Sequence, residues 1–344
     1  MSDSDQVARG PASRAASSAA LLRGLADEYG IRGNFEDLGG SSNLNLLVEH
    51  GSLRFVVRVY RPWTTASRLA DMQLVRRELA RRDVPTTEPV ETRRGETWIV
   101  VRDRLVEVEP YIQHDSKMDS WQRIKAALPL LGRAHTLMQA LEVSQDGSIA
   151  PAANHVEAAD VVAWTLRGTS RIRSWEASPA ELRLADASDE LAKLLDSAEK
   201  RRPPLARQLV HGDFWDNNVL FHGDRVVLVG DFDFMGVRPR IDDLALVLYY
   251  TNSTFWEDPL SDSRMRALRD LVDAYDDGLT DHLTAVERSA LPLALARTPL
   301  CFVGMLASID TPAGARRLAA EITPDVAWAL AIARDLDRWQ RAFA

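Results

Sequence analysis

One cysteine, Cys301, stands in 344 residues, so an internal disulfide is excluded and a reducing compartment is expected. No run reaches the roughly 18 uninterrupted apolar residues that a membrane helix needs. No apolar segment follows a basic start at the N-terminus, so a secretory signal is not expected and a cytoplasmic protein is. Positive charge is in deficit: 42 Lys and Arg stand against 50 Asp and Glu, net −8, a poor balance for a dedicated nucleic-acid binder. There is no His/Cys cluster of the kind that holds zinc, and no fixed-period repeat. What is present is ordinary for a soluble globular chain: 46% apolar and 27% charged residues, with 18 Gly and 16 Pro. This excludes fibrous and disordered classes, and the length suits two lobes better than one core.

Residues 1–20 are small, polar and unperiodic, and read as a flexible tail whose last residues can enter a helix. Residues 21–110 read as a first, smaller lobe, with a β-like texture from about 34 to 112. Apolar runs at 44–49 and 53–60 flank His50-Gly51-Ser52, a hairpin turn. A helical period covers 67–82, and two further strands are expected at 97–101 and 105–108. From 111 to 344 the texture is helical, with helices expected at 121–141, 155–175, 179–200, 241–256, 263–279, 284–308 and 324–342. The expected fold is α+β and bilobal: a small antiparallel β lobe, too thin to be stable alone, and a large helical lobe.

One β island interrupts the helical lobe. It reads His211-Gly212-Asp213-Phe214-Trp215-Asp216-Asn217-Asn218, then short β runs, then Gly230-Asp231-Phe232-Asp233. Phosphoryl transfer needs one carboxylate near the attacking hydroxyl and oxygen ligands for Mg²⁺ bridging the nucleotide phosphates. Protein kinases meet this with His-x-Asp, an Asn five residues after the Asp, and a later Asp-Phe-Gly. Asp213 and Asn218 have that five-residue spacing, and Asp231-Phe232 follows one hairpin later. Asp and Asn in loops commonly make turns, so the weight rests on the joint pattern in the right order.

The segment 211–245 resembles the aminoglycoside phosphotransferase family, small-molecule kinases with a protein-kinase-like fold. The motif His-Gly-Asp-x-x-x-x-Asn is intact, Gly230-Asp231-Phe232-Asp233 matches the second element, and Asp243-Leu244-Ala245 matches a helix start. Upstream, Gly39-Gly40-Ser41-Ser42-Asn43 resembles the nucleotide loop, Val56 to Pro62 the cation-bearing strand, Glu109-Pro110-Tyr111-Ile112 the hinge, and Leu131 to His135 the first helix of the large lobe. The resemblance spans about residues 35–250.

It implies a kinase with ATP, or GTP, as donor, Mg²⁺ as cofactor, and a small hydroxylated acceptor, with an antibiotic favoured over a homoserine-, choline- or sugar-like alcohol. A nucleotide-binding pseudokinase is the third reading. Asp213 would orient the acceptor hydroxyl, for which an ordinary Asp with a pKa near 4 suffices. Asn218 and Asp231 would hold Mg²⁺. Gly40, Ser41, Ser42 and Asn43 would meet phosphate oxygens, unless they form a plain turn. Arg58 would take the place of the phosphate-binding Lys, its helix acid unclear among the residues around Met72 and at Glu78. The Glu109 carbonyl and Tyr111 amide would face adenine. His211 would brace the loop rather than act as a base, His135 would pack, and Asp243 would cap or brace a helix. Trp215 has two readings, ring platform or core filler. Asp216, Asp233 and Trp256 are candidate acceptor contacts, Asp233 also an indirect metal contact, with Tyr249, Glu257 and Asp258 nearby.

Overall fold

The computed structural model describes residues 14–40, 42–151, 154–255 and 261–344. Ser41, Trp256, Glu257 and Asp258 therefore lie outside the described residues, as do positions 1–13 of the expected tail. The Ser18 hydroxyl accepts from the Leu21 amide and starts α1, Ala19–Gly24, which continues as a wide turn over Leu25–Tyr29. The first helix thus begins at Ala19, where the last residues of the tail are expected to enter one.

Three strands follow, β1 Phe35–Gly39, β2 Leu44–His50 and β3 Leu53–Val59. The helix α2, Ala66–Ala80, is capped by Thr65, and β4 Ile99–Val101 and β5 Arg104–Pro110 complete an antiparallel sheet of order β1-β2-β3-β5-β4. Strand alternation sets two faces. Leu44, Leu46, Val48, Val57, Val59, Val106 and Val108 pack with Leu21 of α1 and Leu25 of the wide turn in one core. The other face carries Arg58, Tyr60, Leu105, Glu107 and Glu109 toward α2. Tyr60, Leu105 and the α2 residues Leu69, Met72, Val75 and Leu79 belong to the same apolar cluster as the helical lobe. The thin sheet is therefore completed on this side by the larger lobe.

The short strand β6, Ser116–Met118, leads to α3 Trp121–Met138 and the one-turn α4 Gln145–Ser148. The pair α5 Val161–Arg173 and α6 Pro179–Glu199 follows, α6 opened by a capping box of Ser178 and Glu181. The island comprises β7 Gln208–Val210, β8 Asp216–His222, β9 Arg225–Val229 and β10 Gly236–Arg238, arranged as β6-β8-β9 and β10-β7 sheets. Then come α7 Arg240–Phe255, α8 Asp262–Asp276, α9 Ala285–Met305, α10 Pro312–Arg334 and α11 Leu336–Phe343.

The helix expected at 324–342 differs most. Thr311 caps α10 with Pro312 in its first turn, the helix runs through Pro324, and Asp335 divides it from α11. Ala285–Ser308 is long and apolar enough by composition to cross a membrane, but 83% of its apolar window is buried inside the protein.

Candidate active site

Strand β7 delivers the chain to His211, which is 1% exposed. Its Nε2 lies 3.0 Å from the Gly230 carbonyl oxygen, and its Nδ1 lies 3.2 Å from the Asp213 amide. The carbonyl can only accept and the amide only donate, so the ring carries its proton on Nε2. Burial pushes its pKa down to about 4, so it is a neutral brace between the two halves of the island. The Asp243 carboxylate, on the first turn of α7, accepts from the Gly212 amide at 3.0 Å and from His135 Nε2 at 3.0 Å. Burial opposes its charge, but the His135 hydrogen bond leads the contacts that hold its pKa at about 2. His135 does more than pack: its other nitrogen meets the Tyr275 hydroxyl at 2.7 Å.

Gly212 has φ +83°, and a Cβ there would stand 2.1 Å from the Phe234 carbonyl oxygen. Any side chain must push the neighbouring Asp213 away from the Asp231 segment. Gly212→Ala is expected to lower kcat by about 10²-fold or more, the cost of a displacement near 1 Å, with a lowered melting temperature. Kinetics and thermal melting check this together, and a variant with normal kcat would contradict the tight seat.

Asp213 receives two amide donors. Asn154 Nδ2 lies 2.7 Å from Oδ1, and Asn218 Nδ2 lies 2.8 Å from Oδ2. Asn218 also donates to the Asp213 carbonyl at 2.9 Å, closing the five-residue loop on itself. Burial, then the charge of Asp231, raise the Asp213 pKa to about 7. This corrects the expectation of an ordinary carboxylate: partial burial and the neighbouring Asp231 charge both disfavour its ionised form. Asn154 had no sequence signal, since it comes from the stretch before α5 and meets Asp213 only through the fold.

Asp231 adopts φ 59°, ψ 70°, a left-handed conformation uncommon outside glycine. Its Oδ1 is buried without a hydrogen bond and lies 3.3 Å from Arg58 Nη1. Asn218 spends its amide nitrogen on Asp213, which leaves its oxygen free for a hard cation. Among the described residues, no group of three His, Cys, Asp or Glu side chains could hold a metal. One amide oxygen and one carboxylate fit Mg²⁺, which keeps several waters and takes phosphate oxygens rather than an all-protein cage.

On the sheet lobe, Gly39 and Gly40 have φ +84° and +112° and turn β1 toward β2. Arg14 spans this turn, 2.5 Å from Asp37 Oδ1 and 3.2 Å from the Asn43 carbonyl. Asn43 departs from its expected role at phosphate. It is 4% exposed, and its side chain donates to Asp233 Oδ2 at 2.6 Å and accepts from the Arg61 amide at 3.2 Å.

Asp233 is likewise corrected as an acceptor contact. It is 4% exposed, held by Asn43 and lying 3.4 Å from Arg61, beneath the sheet lobe.

Arg58 lies on the sheet face toward α2, 3.9 Å from Glu109. The helix supplies no acid to it. Glu78 turns outward to Arg81 at 2.6 Å and Arg82 at 3.1 Å. The helix contributes a cation instead: Arg76 reaches Glu107 at 2.6 Å and Glu109 at 2.7 Å. Tyr60 and Gln73 also donate to Glu107, and Thr87 to Glu109. Burial opposes its charge, yet Arg76 and Arg58 hold Glu109 low, whereas burial keeps Glu107 high. The acid partners of Arg58 are thus on β5 and at Asp231.

The Tyr111 amide is not free for the expected hinge contact. The Tyr111 amide, expected to face adenine, donates to the Arg54 carbonyl at 2.9 Å, because the β3–β5 ladder extends past Pro110, which pairs with Phe55. The Ile112 amide makes no hydrogen bond among the described residues.

Beyond Asp213, Trp215 stacks on Tyr250, ring centroids 5.0 Å apart and 28° between planes. Phe302 lies 6.5 Å from Tyr250. Both Trp215 and Tyr250 are partly exposed, and Asp213 is among the charges acting on the Tyr250 phenol. Asp216 is corrected as a free acceptor contact, since Lys117 of β6 pairs with it at 2.7 Å. Tyr249 is turned away, its hydroxyl donating to Asp325 at 2.6 Å. A surface concavity of about 830 Å³ lies between Val84, Pro129, Arg133, Val226 and Gly278 and includes none of Asp213, Asn218 or Asp231.

No curated protein matches the sequence significantly. Solved structures share the fold. An amicoumacin kinase in complex with AMP-PNP and Ca²⁺ is 15% identical, with TM-score 0.68 over 90% of this chain and 93% of that one. A microcompartment-associated aminopropanol kinase is 18% identical, with TM-score 0.68 over 95% and 99%. A spectinomycin phosphotransferase in complex with ADP and spectinomycin is 12% identical, with TM-score 0.57 over 91% and 98%. A sequence profile of the phosphotransferase enzyme family matches residues 36–282. With that span of the chain matched, and with the bilobal fold around Asp213, the chain belongs to the phosphotransferase enzyme family, APH, whose members are small-molecule kinases acting on hydroxyl groups.

Proposed function

We propose that this chain is a cytoplasmic, ATP- and Mg²⁺-dependent kinase whose acceptor is a ring-bearing hydroxylated antibiotic. The observation that carries the acceptor class is the partly exposed Trp215–Tyr250 stack beside Asp213. Flat apolar faces next to a hydroxyl-orienting carboxylate suit a sugar or heterocycle. Solved relatives of the same fold are an amicoumacin kinase and a spectinomycin phosphotransferase.

Asp213 receives the proton of the acceptor hydroxyl as that oxygen bonds to the γ-phosphorus of ATP, and the bond to the leaving ADP oxygen breaks. The transition state is loose, so orientation supplies most of the rate. Asn154 and Asn218 fix the carboxylate plane. Asn218 and Asp231 would hold Mg²⁺, which when bound neutralises charge on the phosphates. Arg58 would leave Asp231 for a phosphate oxygen. Adenine would meet the Pro110 carbonyl and the Ile112 amide, one residue along from Glu109 and Tyr111. Competition between ATP and GTP in a binding titration distinguishes the donor.

A metabolic alcohol is the second reading, favoured by the aminopropanol kinase, whose TM-score equals that of the amicoumacin kinase. Expression in a susceptible host, across aminoglycoside, macrolide, peptide and nucleoside antibiotics, separates the two. Resistance to one class that disappears with Asp213→Ala is the expected outcome. No protection, with efficient turnover of an amino alcohol by the pure enzyme, would replace the antibiotic reading.

A further inference from the structure

The turn that carries Asp231 is gripped from the sheet lobe at several points. The Asn43 amide donates to Asp233 Oδ2 at 2.6 Å, and Arg61 Nη2 lies 3.4 Å from the same oxygen. Arg68, on the first turn of α2, donates to the Asp233 carbonyl at 2.8 Å and to the Met235 carbonyl at 2.7 Å. The Arg61 guanidinium lies over the Phe234 ring, 5.1 Å from its centroid. From below, the Phe234 carbonyl sits where a Gly212 side chain would be. The turn is thus clamped between the catalytic loop and the sheet lobe.

Asn43 sits at the centre of the clamp. Its side-chain oxygen takes the Arg61 amide where β3 ends, its side-chain nitrogen takes Asp233, and its own carbonyl takes Arg14. One side chain therefore ties the end of the glycine turn to the segment that presents Asp231. The pair joins residues 190 positions apart across the two lobes.

The geometry points to Asp233 as a positioning residue: its carboxylate latches the Asp231 turn to Asn43, and does not bind metal or acceptor. The charge of Asp233 is used on Asn43 and Arg61. Asp231, two residues earlier, keeps its buried oxygen free of hydrogen bonds. Through the latch, the glycine turn and the Asp231 backbone keep one relative placement. An intact latch favours productive nucleotide binding rather than the chemical step. This rests on the kinase reading above.

Exchanging the partners tests it. Asn43→Asp alone sets two carboxylates against each other, which disfavours both charges. It is expected to raise the KM for ATP about tenfold, the size of a close pairwise coupling, and to lower the melting temperature of the ligand-free protein, with kcat at saturating ATP changed less. Asp233→Asn keeps an acceptor for Asn43 and should be milder, with an unchanged Mg²⁺ requirement. The double variant Asn43→Asp/Asp233→Asn restores one donor and one acceptor in reversed order. It should recover both the melting temperature and the KM to within about threefold of wild type.

Three results would overturn the latch. They are a double variant no better than Asn43→Asp, an Asn43→Asp protein with normal KM and melting, or an Asp233→Asn protein whose Mg²⁺ requirement rises above that of the wild type. If the wild type itself phosphorylates no acceptor, the kinase reading fails, and the ligand-free melting of the four proteins still decides the latch.

Discussion

Asp213→Ala is expected to lower kcat by about 10²–10⁴-fold, the usual worth of a positioned acid–base group, while nucleotide still binds. In the proposed function the carboxylate faces the acceptor, and other residues build the nucleotide side of the cleft. The raised pKa of Asp213, about 7, adds a pH signature. Ionised Asp213 is the form that accepts the hydroxyl proton, so kcat/KM should rise with pH and level off above about 7.

Stability should run the other way. Below about pH 4 the carboxyl is neutral in both folded and unfolded chains. As pH climbs to about 7, the unfolded chain ionises while the folded one resists, and the folded state loses stability. At ~1.4 kcal/mol per pH unit, the effect approaches roughly 4 kcal/mol for the ligand-free protein. Denaturant melts from about pH 5 to pH 8 should therefore show a steeper decline for wild type than for Asp213→Ala. Equal slopes, or a flat rate profile across neutral pH, would remove the perturbed carboxylate from the account.

Arg76→Ala should be the most damaging change in the sheet lobe. Arg76 is the cation shared by Glu107, which is 0% exposed, and Glu109, which is 8% exposed. Its loss leaves Glu107 without a charged partner and Glu109 with only Arg58, which the proposed function assigns to a phosphate oxygen. Breaking a buried pair from one side costs about 3–5 kcal/mol. Arg76→Lys keeps the charge but loses the two-pronged contact, and should fall between. Denaturant midpoints of the three proteins check the order. A loss below about 1 kcal/mol for Arg76→Ala would place the network in the class of solvent-screened pairs.

What could be read from the sequence divides along one physical line. The island was legible because its chemistry is local: Asp213, Asn218 and Asp231 lie within one loop and one hairpin, and short loops fix short distances. The face of Arg58 was legible because strand alternation is local too.

Contacts built by the fold left no trace. Asn154 meets Asp213 across 59 residues, Asn43 meets Asp233 across 190, and Arg76 meets Glu107 across 31. An Asn in a glycine turn reads the same whether it faces a phosphate or a carboxylate from the other lobe. That the Tyr111 amide is already engaged was not legible, because the length of the β3–β5 ladder decides which amides are left free, and ladder length depends on both strands. A helix start at Pro324 suits the preference of proline for the first turn, yet Thr311 and Pro312 already start α10 well before it.

The central claim is transfer of a phosphoryl group from nucleotide to a small-molecule hydroxyl at Asp213. Its most direct test is mass spectrometry on a library of hydroxylated antibiotics and amino alcohols, incubated with ATP, Mg²⁺ and the pure enzyme. The account predicts that at least one compound gains a single phosphate, and that the gain vanishes with Asp213→Ala under conditions where that variant still binds ATP. A phosphorylated product formed equally well by Asp213→Ala, or bound ATP with no acceptor modified anywhere in the library, would contradict it.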